Sequence, residues 1–219
     1  MPIRNDAAAS DPSVIDRYTD GFGWHPHPEE TMERASHAVV FDDRVWIVDP
    51  IDAPEIEEEI EQLGEVAGVV VLLDRHERDA AAFARRFDVP IYRPPFVDRN
   101  FDAPVKALGN ELPGTDVDVF QTVEVPKWKE AALFDGETLV LADALGTAGY
   151  FAVGPERIGV HPLLRLTPPN GLDGLEPDRI LVGHGAGIHD DASSALEQAL
   201  SGARRRLPQS WLAMVRGLV

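Results

Sequence analysis

The first strong pattern in the chain begins at Ala35, where apolar and β-branched residues fill SHAVVF, break at Asp42 and Asp43, and resume in RVWIVD. Two such runs around a short polar turn predict a β-hairpin whose second strand ends at Asp49 and Pro50. Pro54 then opens a helix, where its missing N–H does no harm. Ile56, Ile60 and Leu63 recur on one face, and Gly64 stops it. GVVVLL at 68–73 is a continuous apolar run, the mark of a strand covered on both faces. These segments make one β-α-β unit.

Residues 77–87 return to a helical period, with Ala80, Phe83 or Ala84, and Phe87 on one face, and VPIYRP after them reads as a further strand. The proline-rich stretch 93–104 is a loop. Through 117–142 come VDVFQTVEV, EAALF and ETLVLAD, with DGE at 135–137 as the tight turn between the last two, which predicts an antiparallel meander. RILVGHG at 179–185 is a last strand. The closing helix is capped by Asp190 or Asp191, carries the stripe Leu196, Ala199, Leu200, Ala203 and Leu207, sets Arg204 to Arg206 at its negative end and stops at Pro208. Without repeats or a Gly/Ser linker, residues 1–219 read as one domain: an N-terminal arm and loop over 1–34, a core over 35–206 and a C-terminal tail over 207–219.

Composition narrows the function classes. The 219 residues are 44% apolar and 26% charged, ordinary values for a globular chain. With 38 acidic against 20 basic residues the net charge is -18, which repels a phosphate backbone and argues against nucleic acid as partner. Seventeen of the basic residues are arginine, a balance that resembles an extreme halophile's proteome, with an acidic protein of a GC-rich genome as the alternative. No cysteine occurs, so any metal must rest on His, Asp and Glu. The first twenty residues carry charges throughout and no run approaches the roughly 18 apolar residues of a membrane span, so a soluble, cytoplasmic protein with a small-molecule partner is expected.

Three strand ends carry candidate chemistry, since side chains at the carboxyl ends of strands converge on a crevice. In LLDRHERD at 72–79, Asp74 and His76 stand two apart and Asp79 lies one turn further; the same carboxylates could simply cap the helix. Asp143 closes ETLVLAD, where an aspartate bridges metals or holds a loop through backbone N–H groups. His184 follows RILV between Gly183 and Gly185, small neighbours that let a ligand approach or merely make a turn. Trp24-His25-Pro26-His27 offers a further imidazole pair or two surface histidines.

These segments, in this order, resemble the metallo-β-lactamase fold superfamily with its glyoxalase II-like hydrolases. That family carries H-x-H-x-D-H after an apolar strand, an Asp closing a later strand, and a late strand-end histidine; RVWIVD resembles its early strand ending in Asp, here Asp49. The resemblance spans about residues 35–206 and implies a four-layer αββα sandwich with the site at one edge between two sheets. This chain departs from the motif: it reads Asp74-x-His76-x-Arg78-Asp79, and the histidine placed between this motif and Asp143 is replaced within VPKWKEAAL, where Lys127 and Trp128 stand as candidate substrate contacts beside His25 and His27.

The resemblance implies a ligand set drawn from His76, Asp79, Asp143 and His184, with Asp74 as a further carboxylate. Such an oxygen-rich set suits Mn, Fe or Mg over a nitrogen-rich zinc pair, with zinc not excluded. Two readings follow. In one, a single divalent ion activates water while Arg78 and Asp74 act at the catalytic centre, on a small ester, thioester or phosphoester. In the other, no metal is bound, Arg78 pairs with Asp79 or Asp143 in its place, and the fold serves as a small-molecule-binding or interaction module.

Overall fold

The computed structural model describes residues 2–217. A seven-stranded sheet follows the order of the chain. It starts with β1 (Ser13–Tyr18), β2 (Gly21–His25), β3 (Ser36–Phe41) and β4 (Arg44–Val48), each antiparallel to the next. The β3–β4 hairpin forms where the pattern places it. Its two loop residues, Asp42 and Asp43, have φ of 47° and 62°, and this doubly left-handed turn matches the twist of the flanking strands. Helix α1 (Ile56–Leu63) then leads to β5 (Val66–Val70), and α2 (Ala80–Arg86) to β6 (Ile91–Arg93) and β7 (Val105–Ala107); β4 to β7 run parallel.

The second sheet holds the meander β8 (Asp118–Val125), β9 (Trp128–Phe134) and β10 (Thr138–Val140). A short pair, β11 (Leu145–Gly146) with β12 (Gly159–Val160), follows, and β13 (Arg179–Leu181) returns to lie parallel to β10. Helix α3 (Ala192–Gly202) packs on β12 and β13. Pleating sorts the side chains of β4 into two cores. Val45 and Ile47 join Ile56, Ile60 and Phe83 under α1 and α2. Trp46 and Val48 face the other way, into the cluster that holds Leu133, Val140, Leu181 and Leu196. The result is a sandwich of two sheets with helices outside.

Three expectations change. The stretch 1–34 is not a loop throughout, because β1 and β2 extend the first sheet. Its glycines are the reason: a Cβ at Gly23 would meet the His37 ring, and one at Gly21 would meet the Ala38 carbonyl and the Tyr18 ring, so the GFG signal marks close strand packing. Asp191 stands at the N-cap of α3 with φ 51° and no side-chain cap bond. Pro208 ends nothing; it is the second residue of a further helix, α4 (Leu207–Gly217), where an absent N–H is harmless. Residues 218–219 of the expected tail lie outside the described residues.

Candidate metal centre

The loops after β4, β5, β10 and β13 bring Asp49, His76, Asp143 and His184 together. His76, Asp143 and His184 each offer a ligand atom, and those atoms lie within 4.8 Å of one another. Both imidazoles aim Nε2 at one carboxylate oxygen: Asp143 Oδ1 is 3.3 Å from His76 and 3.1 Å from His184. Ligands about 2.0–2.2 Å from a shared ion at tetrahedral to octahedral angles stand roughly 3.0–3.5 Å apart. The spacing therefore fits a metal.

The far sides of the two rings add a stronger argument. His184 Nδ1 is 2.8 Å from Met32 O, with the Tyr150 hydroxyl at 3.0 Å. A carbonyl only accepts, so Nδ1 carries the proton and a neutral His184 turns the lone pair of Nε2 toward an anionic oxygen. That arrangement calls for a cation between them, either a second ring proton or a metal ion. His76 repeats the theme: its Nδ1 lies 3.1 Å from Asp49 Oδ2, off-line for a hydrogen bond but close enough to orient the ring. Burial and Arg78 oppose a charge on His76, yet Asp49 and Asp143 outweigh them and raise its pKa. Burial likewise opposes the charge on Asp143, but the two imidazoles hold its carboxyl well below the usual range.

Glu130, on β9, is a fully buried carboxylate that the sequence reading did not single out. Its Oε1 accepts the backbone N–H groups of Ala142, Asp143 and Ala144 at 3.0, 3.1 and 3.0 Å, and its Oε2 accepts Trp128 Nε1 at 3.2 Å. It fixes the turn that carries Asp143. A glutamate in the otherwise apolar EAALF run is the signal that could have disclosed it.

The other candidates separate. Asp74 Oδ2 takes the backbone N–H of Lys129 at 3.0 Å, tying the loop to β9, so it is a structural tether and not a member of the cluster. Asp79 accepts the backbone N–H of Asp52 at 2.8 Å and also stands apart from it. Arg78 pairs with neither Asp79 nor Asp143; its Nη1 donates to the carbonyls of Ala35 and Asp49 at 2.6 and 2.7 Å. Arg75 makes the contact with Asp143 instead, Nη2 to Oδ2 at 3.2 Å, while its guanidinium carbon lies 4.3 Å from the Trp128 ring centre. Lys127 is exposed in the β8–β9 turn at φ 65°. His27 is buried in the wall of the site's cavity, and His25, two residues earlier at the end of β2, is not among that cavity's lining residues.

The cavity over the cluster measures about 1080 Å³ and is lined by His76, Asp143, His184, Arg75 and Arg78, with residues 4–9 of the N-terminal segment along one side. That segment is bonded in place. Met32 N donates to Ile3 O, Thr31 N donates to Pro2 O, and Arg34, locked to Glu30 at 2.7 Å, donates to Asn5 O at 2.6 Å.

Among solved structures, DIM-1 metallo-β-lactamase exposed to ceftazidime superposes with a TM-score of 0.62 at 15% identity, covering 91% of this chain and 99% of that one. The chain has the metallo-β-lactamase fold. A mutant flavo di-iron protein from Thermotoga maritima shares this metallo-β-lactamase architecture with a TM-score of 0.61 at 14% identity over 89% of this chain and 63% of that one. A protein in a di-iron-bound form matches at 0.52, 17% identity, 72% and 90%. No protein-family model and no curated protein matches the sequence. Within a metallo-β-lactamase fold the cluster sits where the strand ends of both sheets meet, and among the described residues no helix is long and apolar enough to cross a membrane.

Proposed function

We propose that the chain is a hydrolase that uses one divalent metal ion to cleave a small ester, thioester or phosphoester. The observation that carries this reading is the convergence of His76 Nε2 and His184 Nε2 on Asp143 Oδ1, with the Met32 carbonyl behind the His184 ring at Nδ1. Two histidines and a carboxylate on one side, with the cavity open on the other, suit Fe²⁺, Mn²⁺ or Zn²⁺ better than the all-oxygen preference of Mg²⁺. When bound, the ion supplies Lewis acidity and lowers the pKa of water.

The chain's own groups set up that chemistry. Asp49 and Met32 O orient the two ligand rings from behind, and Glu130 holds the backbone of the third ligand. Half-buried Arg78 ties the β4 end to the residue before β3 through two carbonyls, which keeps Asp49 in register with His76. A second reading, a metal-free binding module, is favoured by one contact: the Arg75 guanidinium already neutralises Asp143 Oδ2. Elemental analysis of untagged protein purified without chelator decides between them. About one metal per chain, lost in His184→Ala with the fold intact, supports the hydrolase; protein that takes up none of the three ions on dialysis overturns it.

A further inference from the structure

We propose that Arg75, clamped on the indole of Trp128, is the anion-binding residue of the site and selects substrates that carry an oxyanion, a phosphate or carboxylate, next to the bond that is cleaved. The proposal rests on the hydrolase reading for the bond broken, but the anion site itself stands on the geometry of Arg75.

Asp143 divides its two oxygens. Oδ1 faces both imidazoles, and Oδ2 faces the Arg75 guanidinium at 3.2 Å. The cation therefore stands beside the cluster, on the other oxygen of the same carboxylate. Its place is fixed from below. The guanidinium lies over Trp128, whose ring is pinned by the bond from Nε1 to Glu130 and by the edge contact with His161 at 4.6 Å between ring centres.

Most of the remaining arginines of the cavity are committed elsewhere. Arg34 is bound by Glu30, Arg86 by Asp52 and Glu57, Arg99 by Glu77 and Arg4 by Asp6, while Arg78 holds two carbonyls through Nη1 and keeps only a buried Nη2 without a partner. Arg75 makes one hydrogen bond among the described residues, and its side chain is 46% exposed toward the cavity. A planar fork with free N–H donors beside a metal position matches a bidentate oxyanion. In a chain of net charge -18 an anion needs such a local cation to enter.

Equilibrium dialysis of inorganic phosphate, with acetate as a second probe, tests this on the full chain with and without added Zn²⁺. Wild-type protein is expected to bind one phosphate, Arg75→Ala to bind it about tenfold more weakly or worse, Arg75→Lys to fall between, and Arg99→Ala to match wild type. Melting curves accompany each variant, and Zn²⁺ content is measured in the same samples. Equal phosphate affinity in wild type and Arg75→Ala, or no binding of either probe to wild type, overturns the proposal. Loss of phosphate in Arg75→Ala from a protein that holds no Zn²⁺ overturns the metal reading and leaves the anion site standing. Displacement of phosphate by acetate assigns a carboxylate-bearing substrate; phosphate binding insensitive to acetate assigns a phosphoryl group.

Discussion

Glu130 Oε1, reaching over from β9, accepts the backbone N–H of Asp143 at 3.1 Å, although both residues are acidic. Burial and the neighbouring Asp143 push the Glu130 carboxyl up to about 7, while the N–H groups that surround it pull the other way. The turn is held by this one buried group. Glu130→Leu leaves three N–H groups of the turn without a partner, and at about 1–3 kcal/mol for each buried unsatisfied group the loss is on the order of 3 kcal/mol or more. Urea denaturation measures it, and metal uptake by the folded fraction should fall with it because Asp143 loses its support.

Arg78 predicts a different phenotype. Its guanidinium bridges two backbone carbonyls that belong to the approach to β3 and the end of β4, so Arg78→Ala removes a cross-link inside the first sheet. Hydrogen bonds to charged groups contribute roughly 1.5–3 kcal/mol each, and a loss of about 3 kcal/mol is expected. Arg78→Lys recovers only part of it, since the shorter side chain ends in a more strongly hydrated ammonium. Thermal melts of the three proteins give the order wild type, Lys, Ala.

His161 makes stability depend on pH. Burial pushes its pKa down to about 4, with the attraction of Asp143 too weak to compensate. The unfolded chain then binds a proton between about pH 6.5 and 4 that the folded chain refuses, so the stabilisation is full above 6.5 and drains away as pH falls through that window. The total is at most about 3 kcal/mol. Melting temperatures of wild type and His161→Gln across this range should converge toward acid pH; parallel curves would show that this ring is not the group responsible.

Salt should stabilise the protein. Its net charge of -18 is spread over a surface where ion pairs such as Arg44–Glu65 and Arg85–Asp102 are exposed and contribute little. Screening relieves more repulsion than it weakens attraction, and the melting temperature is expected to rise between about 0.1 and 1 M KCl. A falling melting temperature would mean that the pairs dominate.

The sequence was most legible where local pattern and local structure coincide. The β3–β4 hairpin follows from two aspartates between β-branched runs, the meander from DGE, where Gly136 takes φ 95°, and the α1 stop from Gly64 at φ 140°. His76, Asp143 and His184 were visible because each follows a short apolar run. What local pattern could not reveal is where long-range partners lie. Asp74 and Asp79 look like ligands by spacing, yet each is spent on a backbone N–H 55 or 27 residues away. Arg75 and Arg78 are three residues apart in a loop of charges. Only the fold shows that the first lies on Trp128 beside Asp143 and the second spends its Nη1 on two carbonyls. The N-terminal strands were hidden because their glycines answer to side chains on neighbouring strands.

Met32 joins two parts of the molecule that a domain diagram would keep separate. Its N–H holds the segment that flanks the cavity, through Ile3, and its carbonyl sets the proton on the His184 ring. A purification handle fused ahead of residue 2 is therefore expected to pull on a peptide unit that also touches the ring of a candidate ligand. Protein prepared with such a handle and protein prepared with one at the other end are two different samples of the same site.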